Sequence, residues 1–234
     1  MEPLTAILSS LDWSPLWITL KTGVVATILC FFGGTLTAWR IMYRDNARRA
    51  LWDGFLTLPM VLPPTVAGFF LLLIFSKRRP FGSFLFDEFG IKIVQTWTGC
   101  VIAAAVIAFP LMYRNARAAF ELIDVNLIYA GRTLGMSEWA IFRTVALPNA
   151  APGITSGTVL TFARAMGEYG ATSMLAGNIP GKTATISQQI AMVIQNQDYL
   201  TAGIWVVIIL VIAFCIITLV NIINVKINRN TQTW

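Results

Sequence analysis

Tyr129-Ala130-Gly131-Arg132-Thr133-Leu134-Gly135, followed by Leu147-Pro148, forms a polar-faced insert between two apolar runs of membrane-spanning length. Small residues, a glycine turn, an amphipathic stretch and a proline come in order just before the chain turns apolar again. This order reads as a docking surface for a partner, with the remaining chain forming a membrane path that the partner drives.

The surroundings of the insert fix the class. Of the 234 residues, 56% are hydrophobic and only 12% charged, with a mean hydropathy of +0.70. A soluble domain carries about a quarter charged residues, so this is the composition of an integral membrane protein. The apolar stretches suit helices crossing a core of roughly 30 Å, not the short alternating strands of an outer-membrane barrel. The expected fold is therefore all-α, a polytopic membrane helix bundle of about five transmembrane helices. It is read as one domain over 1–234, with 114–149 as a cytoplasmic loop inside it.

The five spans run from about Pro15 to Trp39, Leu51 to Phe75, Val94 to Tyr113, Pro152 to Ala176, and Ala202 to Val225. Met1 to Ser14 carries Glu2 and Asp12 and no basic residue, so no cleavable signal is expected. With the N-terminus outside and the C-terminus cytoplasmic, Arg40, Arg44, Arg48, Arg49, Arg114, Arg117, Arg132, Arg143, Lys226 and Arg229 fall on the cytoplasmic side. The outer side then holds Lys77, Arg78, Arg79, Lys92 and Lys182, and this asymmetry favours that orientation. Asp87 and Glu88 are positioned in sequence to pair with the Lys77-Arg78-Arg79 run. Phe81 to Lys92 reads as an outer interfacial helix or loop.

The net charge of +6 belongs to these clusters at span ends and gives no nucleic-acid-binding stripe. Histidine is absent, which removes the commonest metal ligand and general base. Cys30, Cys100 and Cys215 all lie in apolar segments without metal-ligand spacing and read as buried small hydrophobes, so no metal site is expected.

Within the insert, Asn126 or Asp124 caps a first helix reaching Leu134, and Gly135 supplies the turn beyond it. Ala130 and Gly131 lack bulk, which would let another protein approach closely. Ser137 and Glu138 open a second helix whose apolar residues Trp139, Ile141, Phe142, Val145 and Leu147 recur at helical spacing. Pro148 and Pro152 are expected to stop or bend it. On periodicity alone an ordinary structured loop fits as well.

The stretch resembles the EAA loop of ATP-binding cassette importer permeases, in which a short coupling helix inserts into a cleft of the ATPase. That pattern is Glu-Ala-Ala, three residues, Gly, then a later Leu-Pro. Ala130, Gly135, Leu147 and Pro148 match it, whereas Tyr129 stands where Glu is usual and Gly131 where Ala is usual. The resemblance extends over nearly the whole chain and points to the molybdate permeases. It is carried by Leu58-Pro59-Met60-Val61-Leu62-Pro63-Pro64-Thr65-Val66-Ala67-Gly68, by Phe162-Ala163-Arg164-Ala165-Met166-Gly167-Glu168-Tyr169-Gly170-Ala171-Thr172, and by Gly177-Asn178-Ile179-Pro180-Gly181-Lys182-Thr183. Sulfate permeases share parts of all three.

The resemblance implies a non-catalytic translocation subunit of an ATP-driven bacterial importer in the inner or cytoplasmic membrane, for molybdate or else for sulfate or tungstate. It implies two permease chains, two cytoplasmic ATPase subunits and an external molybdate-binding protein. Tyr129, Ala130, Gly131, Arg132, Leu134, Gly135, Leu147 and Pro148 would meet the ATPase. No cofactor is expected on this chain, ATP and Mg belonging to the ATPase. Gly181-Lys182-Thr183 is the nearest approach to a phosphate loop and lacks the upstream glycine. No soluble domain is visible after Arg229, so regulation through one is not expected.

Pro59, Pro63 and Pro64, with Thr65, interrupt span two and give either a flexible gate or a static kink. Arg164 and Glu168 lie four apart on one face of span four, so they can meet. They either line the path of an anion or bridge span four to its neighbours. Gly153, Gly157, Gly167 and Gly170 fit close helix packing. Lys21 reads as a residue snorkelling to the interface. A proton-coupled carrier using Glu168 and a membrane scaffold without a solute are the rival classes.

Overall fold

The computed structural model describes residues 11–42 and 46–231, with side chains left out at 46, 219–221 and 223–231. Glu2 and Arg44 lie outside the described residues. The described chain is helical throughout: α1 (Ser14–Met42), α2 (Asn46–Val61), α3 (Pro64–Phe75), α4 (Pro80–Phe89), α5 (Trp97–Glu121), α6 (Val125–Thr133), α7 (Glu138–Ile141), α8 (Leu147–Met166), α9 (Gly170–Ala176), α10 (Ile186–Gln195) and α11 (Tyr199–Thr231).

Among the described residues, three helices are long and apolar enough to cross a membrane by themselves: α1, α5 and the Tyr199–Thr218 part of α11. They correspond to the first, third and fifth expected spans. The second expected span is two helices, α2 and α3, meeting at 109°. Pro63 caps α3 and Pro64 is its first residue, so neither offers the N–H that would carry the helix through. The fourth is broken as well, because α8 ends at Met166 and α9 begins only at Gly170.

Of the two outcomes expected at Pro148 and Pro152, stopping or bending the helix, the stop does not occur. α7 continues into α8 through a wide turn, Phe142–Ala146, in which the Leu147 N–H reaches the Phe142 carbonyl five residues back. Pro148 has no N–H and its ring crowds the carbonyl of residue 144; widening the turn relieves the crowding and keeps the helix going.

Two clusters of buried side chains hold the fold. In one, Trp39 of α1, Phe120 of α5 and Phe142 bring their ring centroids within 5.4 to 6.1 Å of one another, in the same cluster as the buried Met112, Tyr113 and Ile141. In the other, Ala67 and Leu71 of α3 meet Ala103 and Ile107 of α5 and Ala171 and Leu175 of α9. Small residues let the backbones close up. A Cβ placed on Gly153 or Gly157 would stand 2.6 Å from that of Ala119 or Asn115 on α5. Gly167, expected to pack in the same way, meets nothing nearer than the Ala163 carbonyl at 3.7 Å and ends α8 instead. Thr19, Thr27 and Thr161 are buried and turn their hydroxyls onto carbonyls one turn back, so no polar group is stranded there.

Two further expectations are corrected. Lys77 lies over the Phe86 ring at 3.0 Å, and none of Lys77, Arg78 and Arg79 pairs with Asp87 or Glu88 among the described residues. Cys30 and Cys100 are buried and donate to the carbonyls of Ala105 and Thr183, whereas Cys215 is exposed on α11.

Candidate functional site

The insert forms a helical elbow. Asp124 caps α6 by accepting from the Asn126 N–H, so Asp124 fills the role left open between the two residues. At the other end Gly135 takes φ +76°, its N–H bonds the Arg132 carbonyl, and the Met136 N–H bonds the Gly131 carbonyl. This crossed pair is a Schellman ending, which needs a left-handed residue at Gly135. Ser137 then caps α7 by accepting from the Ala140 N–H at 3.2 Å. Arg132 bridges the two helices, its Nε 2.7 Å from Glu138 Oε1, and these hydrogen bonds hold the Glu138 carboxyl below its ordinary range.

Placement separates the insert residues into two sets. Tyr129, Ala130, Arg132, Leu134 and Gly135 are exposed, Leu134 to 80% of its surface, and so is Trp139 on α7. Gly131 is buried: a Cβ there would meet Ile141 Cγ1 at 3.1 Å. Its lack of bulk serves α7 packing on α6 rather than the approach of another protein, which corrects the sequence reading. Leu147 is half-buried and Pro148 exposed, both one helix further along at the wide turn. What the elbow offers is an apolar rim of Tyr129, Leu134 and Trp139 around one ion pair.

The second set of expected residues converges elsewhere. The break at Pro63-Pro64 packs against the break at Gly167–Tyr169, just over 100 residues further along the sequence. A Cβ on Gly170 would stand 3.0 Å from Pro64 Cβ and 3.3 Å from Thr65 Cγ2, and one on Gly68 would stand 2.6 Å from Ala171 Cα. Glu168 sits at this junction with 2% of its side chain exposed. One oxygen lies 2.8 Å from Arg164 and the other accepts from the Ala171 N–H at 2.7 Å. Both carboxylate oxygens are thus used to close the gap between α8 and α9. Arg164 keeps a third of its side chain open. Pro59 lies a turn earlier and lines an apolar cleft of about 610 Å³ between α1, α2, α3 and α5.

A third constellation escaped the sequence reading. Asp53 of α2 meets Arg117 and the Tyr113 hydroxyl of α5, while Arg49 of α2 meets Glu121, which Arg117 Nε also contacts at 3.0 Å. Arg117 and Glu121 stand four apart on one helix, and Asp53 is a lone acid opening an apolar run; these were the available signals. What sequence could not give is that α2 crosses α5 there.

The Gly181-Lys182-Thr183 turn offers no phosphate cradle. Thr183 is buried, accepts from the Ile179 N–H and donates to the Gly177 carbonyl, so its hydroxyl is fully employed.

With this geometry in hand, the kinship of the chain is informative. Residues 30–232 match the family described as binding-protein-dependent transport system inner membrane component. The molybdenum transport system permease protein ModB of Escherichia coli K12 is 43% identical over 190 residues, 81% of this chain and 83% of that one. A putative molybdenum transport system permease protein, YvgM of Bacillus subtilis, is 39% identical over 90% of this chain and 92% of its own. The sulfate transport system permease protein CysT of Salmonella typhimurium is 32% identical over 97% of this chain and 87% of its own. Among solved structures, a bacterial importer of alginate aligns with a TM-score of 0.76 at 15% identity, covering 95% of this chain and 82% of that one. The MetNI methionine transporter aligns at 0.67 and 19% identity over 97% and 99%. These two alignments bear on the fold, an importer permease bundle, and the relatives on the kinship. The chain is a membrane permease subunit and belongs to the family of binding-protein-dependent transport system inner membrane components.

Proposed function

We propose that this chain, acting as one permease domain over 1–234, translocates molybdate by alternating access as part of an ATP-driven importer. The observation that carries the substrate is the 43% identity to a molybdenum permease over 81% of the chain, against 32% to a sulfate permease. In this reading two copies of the chain form the passage in a bacterial inner membrane, N-terminus outside and C-terminus cytoplasmic. Two cytoplasmic ATPase subunits bind ATP and Mg, and an external binding protein delivers the anion.

The elbow at 126–148 is the part pressed by the ATPases. Tyr129, Leu134 and Trp139 supply an apolar rim for a cleft in the partner, and the stiff capping around Gly135 passes a push into α8 without a slack joint. From α8 the displacement reaches the Arg164–Glu168 junction and, through Gly170 and Gly68, the break at Pro63-Pro64. ATP-driven closure of the partners would bring the elbows together and open the bundle outward, and hydrolysis would reset it. Glu168 is spent on the Ala171 N–H and Arg164, which speaks for a bridge that turns the gate rather than a proton site; Arg164, partly open, is the one member able to face an anion.

The test is uptake of labelled molybdate into proteoliposomes holding the chain, its ATPase and its binding protein. Expected is uptake that requires ATP and the binding protein, competed strongly by tungstate and weakly by sulfate. Strong competition by sulfate would move the substrate to sulfate. Uptake that follows a proton gradient after ATP is removed would overturn the reading. A Leu134→Cys variant labelled only from outside the cell would overturn the orientation.

A further inference from the structure

At the opposite end of the molecule from the elbow, α1, the start of α5 and the 177–185 turn enclose a cleft of about 690 Å³ that the transport reading leaves unused. Two buried threonines of α1 assemble it. Thr19 Oγ1 accepts from the Ile186 N–H at 2.8 Å and so pins the turn carrying Lys182, and Thr22 Oγ1 accepts from Trp97 Nε1 at 3.0 Å. Lys21 stands between them, its ammonium 3.8 Å from the Trp97 ring centroid.

The cleft holds two cations, Lys21 and Lys182, and among the described residues no carboxylate lines it. The nearest acid in sequence, Asp12, is taken up by Ser14, whose N–H and hydroxyl both donate to it. No ion pair to either lysine occurs among the described residues. Apart from Ser14 and Gly181, the rest of the wall is apolar or aromatic: Trp17, Ile18, Leu20, Val24, Val25 and Trp97. From its lower edge an exposed apolar stripe, Val24, Ile28 and Phe32, continues along α1. That stripe covers about 12 Å of helix, close to the roughly 15 Å depth of one leaflet.

We infer that this cleft binds an anionic phospholipid, with its phosphate on Lys21 and Lys182, its glycerol region against Trp17 and Trp97, and one acyl chain along Val24, Ile28 and Phe32. Two cations with no counter-ion among the described residues call for an anion, and tryptophans of this kind favour the depth of the headgroups. A free oxyanion would satisfy the lysines but would leave the apolar wall and stripe against water. The inference needs only that α1 spans a membrane; the transported solute does not enter it.

Native mass spectrometry of the full purified chain, equilibrated with phosphatidylglycerol and phosphatidylcholine of identical acyl chains, tests this. Expected is preferential retention of phosphatidylglycerol, falling roughly tenfold in the Lys21→Gln/Lys182→Gln double variant. Lys182 is exposed, so Lys182→Gln alone is expected to fold and to give a smaller fall, with the Lys182→Arg variant restoring the preference. Equal retention of both lipids, or a preference unchanged in the variants, would overturn the site. So would displacement of phosphatidylglycerol by sulfate but not by chloride at the same ionic strength, since the cleft would then read free oxyanions. Failure by any of these routes leaves ATP-driven molybdate uptake standing, because that is read in a separate assay.

Discussion

Around Gly135 the chain is shaped by bonds between near neighbours, and its large side chains point into open space; around Glu168 it is shaped by contacts between segments just over 100 residues apart, and its charge is sealed in. The elbow uses two side-chain caps, a Schellman ending and one exposed ion pair, each within a few residues. The paired breaks use a glycine against a backbone, a proline against a glycine, and a carboxylate with both oxygens occupied. The first region is closely capped and presents a surface, and in the proposed mechanism it would serve as the lever. The second is closely fitted yet contains two interrupted helices, and in that mechanism it would serve as the joint.

Replacing Glu168 tests this difference hardest. Glu168→Leu leaves the Ala171 N–H and Arg164 without their partner, and a loss of about 3 kcal/mol is expected, below the full value for a buried pair because Arg164 is partly solvated. Thermal unfolding in detergent would report it, and a variant as stable as the parent would show that the junction is not sealed by this carboxylate.

Gly68→Val comes next. A Cβ there meets Ala171 Cα at 2.6 Å, which is backbone and cannot swing aside, so about 2 kcal/mol of overpacking is expected together with lost uptake. Retained uptake would mean that α3 and α9 do not need their present contact during transport.

At the elbow the stability effects shrink while the coupling effects do not. Gly135→Ala forces a left-handed conformation on a residue with a Cβ, at a cost of about 1 kcal/mol. Its uptake is expected to fall severalfold at unchanged ATPase assembly. Full uptake would remove the lever role from this turn.

The smallest effect belongs to the Arg132–Glu138 bridge. Both partners are largely exposed, so Arg132→Gln is expected to cost less than about 1 kcal/mol. The pH dependence has a definite sign. Arg132 lowers the Glu138 carboxyl from its ordinary 4.5, so the contribution is present above that value and fades as pH falls through the lower value of the folded state. A stability difference between parent and Arg132→Gln that grew on acidification would contradict the pairing.

The elbow was almost wholly legible in the sequence. Asp124, Gly135, Ser137 and the apolar spacing from Trp139 to Leu147 act within one or two turns, where local chemistry decides. Gly131 was misread because its role depends on Ile141 of the next helix. Pro148 left stop and bend both open because a proline shows only that one hydrogen bond is missing, and the helix had a wider turn with which to absorb the gap.

Composition and apolar run length, local quantities both, determined that this is an all-helical membrane protein, and Pro63-Pro64 determined that one helix would break. The mating of that break with Gly167–Tyr169, the sealing of Glu168, and the crossing of α2 over α5 at Asp53 and Arg117 were decided only by the tertiary structure. Each depends on which distant helix fills the space beside a small residue, and packing of the whole bundle, not the preference of any one segment, settles that.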